Sequence, residues 1–193
     1  MAERDDHLVE VRIDSEVLLE GGFLQLRRDT VRLPDGGRAR REYIVHPGAV
    51  AVVPLHEDGR IVMVRQYRYP LGQVLLEFPA GKIDPGESVH ACAVRELREE
   101  TGYSAREWAR AGMFHNAAAY CTERIEIWFA RGLQRGSQSL DDGEFLEVVE
   151  SDERALADMA RRGELTDAKT LIGLQWLCAW REGSWPMTWQ PAS

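Results

Sequence analysis

The chain has 193 residues (21.9 kDa), the length of one catalytic-sized domain with at most a small appendage. Its 44% apolar content is enough for a core, while 29% charged residues and the lack of any apolar run near the ~20 residues that cross a bilayer exclude a membrane-spanning helix. A net charge of -8, with no Lys/Arg block longer than Arg38-Ala39-Arg40-Arg41, argues against a long nucleic acid as partner and suits a protein that gathers cations.

The first residues carry acids and no apolar stretch with a cleavage site, so the expectation is a cytoplasmic protein. Cys92, Cys121 and Cys178 lie far apart without a C-x-x-C pair. They support neither a disulfide framework nor a thiolate zinc site and read as small buried hydrophobes.

In chain order, Val9–Ile13, Phe23–Leu26 and Thr30–Leu33 are β-type runs, with Gly21-Gly22 and Pro34-Asp35-Gly36-Gly37 as turns. This predicts a short antiparallel meander, too small to bury both faces by itself, that packs on the rest of the chain or on a second copy. His46-Pro47-Gly48 marks a boundary, dividing the chain into an N-terminal β-domain, 1–47, and a main domain, 48–193. Strands are expected at Ala49–Pro54, Arg60–Val64 and Val74–Phe78. A helix follows, capped by Ser88 and stopped by Gly102. Strands Ile125–Arg131 and Phe145–Val149 and helices Asp152–Arg162 and Thr166 to about Trp180 complete the set. The mixture lacks the strict alternation of a doubly wound sheet, so the expected class is α/β in the broad sense, an α+β or layered α/β sandwich.

The helix from Ser88 to Gly102 holds an anomaly. At about 100° per residue, Glu100 and Glu96 fall about 20° to either side of Val89, on the face that carries Ala93 and Leu97. The plainer reading is a solvated helix end stitched by Arg95 and Glu99 at i,i+4, a contact contributing about 0.2–0.5 kcal/mol. Against it, two carboxylates ~5 Å apart repel by about 3 kcal/mol at an effective dielectric of ~20. Acids at a helix C-terminus also oppose the macrodipole. A divalent cation reverses the sign of these terms, and hard oxygen donors without His or Cys point to Mg2+, with Mn2+ as the alternative. The preceding turn, Gly81 to Gly86, lets backbone approach such a cation closely.

Gly81, five residues, Glu87, seven residues, Arg95-Glu96-Leu97, one residue, Glu99-Glu100, one residue, Gly102 resembles the signature box of the Nudix hydrolases, departing only at Tyr103, where the family has a bulky aliphatic. The run Leu76-Glu77-Phe78-Pro79-Ala80-Gly81 is similar to the ADP-ribose pyrophosphatase branch, and the likeness extends from about Val9 to Trp180. The resemblance implies a Nudix α/β/α sandwich, an N-terminal β-domain paired across a homodimer, and Mg2+-dependent cleavage of a nucleotide-sugar pyrophosphate. ADP-ribose, giving AMP and ribose 5-phosphate, leads GDP-mannose and a dinucleoside polyphosphate as substrate. By position, Glu96 and Glu100 match the metal-binding glutamates, Ala80 the residue lending a carbonyl, and Glu99 a lesser ligand. Arg95 and Glu87 match a pair that orients the glutamates.

The resemblance also implies an acid from the loop Leu140–Glu144 as base or additional ligand; Glu144 is first choice and Asp142 next, against the plainer reading of polar loop residues. Arg68 matches an arginine that contacts phosphate, and Arg41 and Glu42 match positions near the adenine in dimeric relatives; each could equally be a surface charge. Ala118-Ala119 stand where ADP-ribose-specific relatives often carry Pro-Gly. A nucleotide-sugar sensor that binds without cleaving is the alternative of a different class, and it predicts a degraded box, whereas here every acid of the box is present.

Overall fold

The computed structural model describes residues 5–192. Two compact units make up the chain: one holds the residues up to Gly48 together with His115–Glu123, the other Ala49–Phe114 and the residues from Arg124 onward.

In the first unit, β1 (Val11–Glu20), β2 (Gln25–Arg32) and β3 (Arg38–Val45) form an antiparallel sheet in that order. The runs Phe23–Leu26 and Thr30–Leu33 are not two strands, because β2 continues through the charged residues between them. Asp29, a poor strand former, is accommodated there because its Oδ2 accepts a hydrogen bond from the Tyr43 hydroxyl at 3.0 Å across the ladder. The third strand is instead Arg38–Val45, beyond the Pro34–Gly37 turn. The excursion His115–Glu123 is stitched to the end of β3: Ile44 N–H donates to the Tyr120 carbonyl at 2.8 Å, and Thr122 N–H to the Ile44 carbonyl at 2.9 Å. Val11, Ile13, Val17 and Leu19 of β1 are exposed.

The second unit is built on a mixed sheet with the path β10-β5-β4-β9-β8-β11, from β4 (Ala49–Leu55), β5 (Ile61–Arg68), β8 (Tyr103–His115), β9 (Arg124–Arg135), β10 (Leu146–Ser151) and β11 (Trp189–Pro191). Two short strands flank the path: β6 (Gln73–Glu77) pairs with β5, and β7 (Ala80–Lys82) with β4. β4 runs parallel to β9 and is buried along its whole length, which explains its unbroken apolar sequence. Its alternate residues feed two cores. Val50 and Val52 meet Cys92, Ala93 and Leu97 of α1 (Val89–Thr101), with Trp108 and Trp128, while Ala51, Val53 and Leu55 meet Leu156 of α2 (Glu153–Arg161) and Leu174 and Leu177 of α3 (Ala168–Arg181). Helices thus cover both faces of the sheet, the layered arrangement expected.

The helix signals in the sequence correspond to real caps. Ser88 Oγ accepts from Ala91 N–H at 3.2 Å, Asp152 and Asp167 cap α2 and α3 in the same way, and Gly102 ends α1 in the left-handed region at φ 73°. The three thiols are free; Cys92 is buried, whereas Cys121 and Cys178 are only half-buried. Among the described residues no helix is long and apolar enough to cross a membrane.

Candidate active site

The site grows from the connection between β6 and α1. Phe78 is fully buried, and the Pro79 carbonyl accepts from Val52 N–H at 2.8 Å, so the chain leaving β6 is held against the central strand. It then re-forms as β7, whose Ala80 N–H donates to Glu100 Oε2 at 3.0 Å. Gly81 lies so near the Glu96 carboxylate that a Cβ would overlap it. Absence of a side chain here opens the space in which that carboxylate sits.

Arg95 ties loop and helix together. Its guanidinium donates to Glu87 Oε1 and Oε2 at 2.9 Å each, to Glu96 Oε1 at 2.7 Å, to Glu99 Oε2 at 3.1 Å and to the Lys82 carbonyl at 3.0 Å. The Glu87 carboxylate in turn holds the Arg95 pKa above its usual range, and Arg95 depresses that of Glu87. One cation is therefore hydrogen-bonded to three acids, Glu87, Glu96 and Glu99, with the Asp84 carboxylate 3.9 Å from it.

The consequence is electrostatic. Burial pushes the Glu96 carboxyl up to about 7 against the opposing Arg95 charge, with Glu99 and Glu144 adding to the rise. Burial, then the Glu96 charge, pushes Glu100 up to about 8, although the Ala80 N–H works the other way. Two buried carboxyls that both resist ionisation fit a group that brings positive charge. The Gly81 gap and an all-oxygen donor set match a hard divalent cation. Among the described residues no three His, Cys, Asp or Glu side chains are gathered at metal-holding distance.

Glu144, in the link between β9 and β10, is close enough for its charge to be felt by both Glu96 and Glu100. Gln66 Nε2 donates to its Oε1 at 3.0 Å. Asp142 is exposed in the same link. Arg68 forms two parallel bonds to Glu77, at 2.7 and 2.6 Å, and so presents a guanidinium whose orientation is fixed. Glu77 is itself almost fully buried and also bonds Lys169, which bonds Asp167 at 3.0 Å. Burial opposes the Glu77 charge, but Arg68 and Lys169 outweigh it and hold its pKa below the ordinary value. Thr170 Oγ1 accepts from Phe78 N–H at 3.0 Å.

Arg41 and Glu42 belong to the first unit. Arg41 is paired with Glu10, its Nε 2.9 Å from Glu10 Oε2, and Glu42 with Arg28 at 2.8 Å. Sequence reasoning gave no role to Gln66, Lys169 or Thr170, nor to Gln138, whose Nε2 donates to the Glu100 carbonyl at 2.6 Å; Glu77 stood in the quoted run without one. Their partners are remote in sequence, and no local signal announces them.

Residues 45–171 match the model of the NUDIX domain, and residues 10–44 that of the nucleoside diphosphate sugar hydrolase N-terminal domain. The chain is 36% identical over 172 residues to an ADP-ribose pyrophosphatase of Bacillus subtilis, covering 88% of this chain and 93% of the relative. It is 36% identical over 170 residues to a methanol dehydrogenase activator of Bacillus methanolicus, covering 87% and 92%. The crystal structure of an ADP compounds hydrolase superposes with a TM-score of 0.81 at 26% identity, over 91% of this chain and 96% of that one.

Proposed function

The chain belongs to the Nudix hydrolase family, and within it we propose a Mg2+-dependent diphosphatase that splits ADP-ribose into AMP and ribose 5-phosphate. The observation that carries the reading is the pair of buried carboxyls, Glu96 and Glu100, raised to about 7 and about 8 beside the Gly81 gap. The names of the relatives support the substrate.

When bound, a divalent cation supplies charge neutralisation on the pyrophosphate oxygens and acidifies a water. Glu96, Glu100 and the backbone of Ala80 would hold it, with Glu144 as a further ligand or as the base that takes the water's proton. Mg2+ is preferred and Mn2+ can substitute, because both accept oxygen donors. Arg95, itself fixed by its bonds to Glu87, holds Glu96 in place through a separate hydrogen bond from Nη1. Arg68, oriented by Glu77, meets a phosphate oxygen; Arg41 and Glu42 meet the nucleotide's base.

The exposed apolar side chains of β1 and a groove of about 290 Å³ between Leu19, Phe23, Leu24 and Ile44 favour a homodimer formed through the first unit. The enzyme is proposed to act in the cytoplasm.

The purified protein, given ADP-ribose, GDP-mannose and a dinucleoside polyphosphate with Mg2+ or with EDTA, tests the reading. Release of AMP and ribose 5-phosphate fastest from ADP-ribose, abolished by EDTA, is expected. Preference for another member of the panel would move the substrate, and tight binding without turnover would favour a sensor.

A further inference from the structure

The last turn of α1 leaves carbonyls that the helix cannot bond itself, and its negative pole lies beside Glu99 and Glu100. A single short segment supplies three donors there. Ser139 N–H donates to the Glu99 carbonyl at 3.0 Å, Gln138 Nε2 to the Glu100 carbonyl at 2.6 Å, and Gly136 N–H to the Gly102 carbonyl at 2.7 Å. Gly102 makes this approach possible twice over. Its φ of 73° is left-handed, and a Cβ would stand 2.9 Å from the Gln138 nitrogen and 3.0 Å from the Ser137 carbonyl carbon.

The segment opens the link 136–145 between β9 and β10, which carries Glu144. The far end of that link is held by the pairing of β10 with β5 and by the bond from Gln66 to Glu144. In between, the Glu144 N–H donates to the Asp141 carbonyl at 3.0 Å. The link is therefore fastened at one end to the helix bearing Glu96 and Glu100, and at the other to the strand bearing Gln66.

Two of the three fastenings are backbone donors, which a change of the side chain at position 138 leaves in place. The third is a side chain. Gln138 is otherwise an exposed loop residue outside both hydrophobic cores. We infer that Gln138 is a positioning residue, which by tying the link to the peptide of Glu100 fixes the place of the Glu144 carboxylate relative to Glu96 and Glu100. This inference rests on the reading of those three acids as the acid set of the active site.

Two variants separate the hydrogen bond from the bulk of the side chain. Gln138→Met keeps the length and loses the donor; Gln138→Lys restores a donor. In the metal-free protein, Gln138→Met should speed amide hydrogen exchange at Ser139 and Glu144 while the amides of Ala93 to Leu97 keep their protection. In the Mg2+-loaded enzyme it should lower kcat about three- to tenfold, the loss expected from one hydrogen bond, with KM within about twofold. Gln138→Lys should recover most of the loss. In a Glu144→Gln background, Gln138→Met should cost little more, because both act through one carboxylate. Wild-type exchange and wild-type kcat in Gln138→Met would overturn the inference, as would a loss that persists in full when Glu144 is already gone. A wild type that turns over no nucleotide sugar would instead remove the functional reading, and the catalytic part of this inference with it.

Discussion

Gly81 and Glu96 occupy each other's space: the glutamate carboxylate fills the volume that any Cβ at position 81 would take. Gly81→Ala must therefore displace Glu96 or pull β7 off β4, where Gly81 pairs with Val50. Mn2+ affinity, read by titration, should fall at least about tenfold, the scale seen when a metal ligand loses its orientation. The far-UV circular dichroism should stay that of the parent. Unchanged affinity would mean that Glu96 does not need this gap.

Glu96→Gln and Glu100→Gln each delete one member of a repelling buried pair. Turnover should fall by about two orders of magnitude or more, the scale for losing one charge-stabilising group from an active site. The metal-free melting temperature should hold or rise, because burying a neutral amide avoids the cost of burying a charge. A clear drop in that temperature would show that the carboxylates stabilise the fold rather than the cation.

The same pair sets a pH dependence. The ordinary carboxyl value is 4.5, whereas Glu96 and Glu100 are raised to about 7 and about 8 in the folded chain. Between these limits the folded state binds more protons than the unfolded state, so metal-free stability falls as pH rises from about 4.5 to about 8. Saturating Mg2+ binds the ionised pair and should flatten or reverse that fall. Denaturant melts at pH 5 and pH 8, with EDTA and with Mg2+, read the sign directly. A metal-free protein more stable at pH 8 than at pH 5 would contradict the assignment.

Glu77 joins β6 to α3 through a buried ion network with Arg68 and Lys169. Glu77→Gln leaves the buried Lys169 with Asp167 as its remaining counter-charge and takes the bidentate acceptor from Arg68, and should destabilise the protein by about 3 kcal/mol in denaturant titration, the lower end for breaking a buried pair. A loss under about 1 kcal/mol, the range of an exposed pair, would mean that the network is solvated.

Glu144→Gln should lower turnover with substrate affinity nearly unchanged, because the role proposed for it is on the reacting water and not on the sugar. Unchanged kcat would move the base to Asp142 or elsewhere.

The central helix and its acids were legible because their signals are local. Ser88, Gly102 and the apolar spacing act within a few residues, and the burial of Glu96 and Glu100 followed from angle alone. The strand Tyr103–His115 was not legible. Its Ala, Arg, Glu and Met residues suit a helix as well as a strand, and the pairing of β8 within the sheet decides the matter. Arg38–Val45 was missed as a strand for a related reason, since a largely exposed sheet imposes no apolar alternation on it. The partners of Glu77 and Glu100 come from Lys169, 92 residues away, and Gln138, 38 residues away, distances at which no spacing rule operates.

The most direct measurement is a crystal structure with Mg2+ and a non-cleavable ADP-ribose analogue. The account predicts a cation about 2.0–2.1 Å from carboxylate oxygens of both Glu96 and Glu100, with the analogue's diphosphate completing its shell. Diphosphate density beside α1 with neither glutamate touching a cation would contradict it.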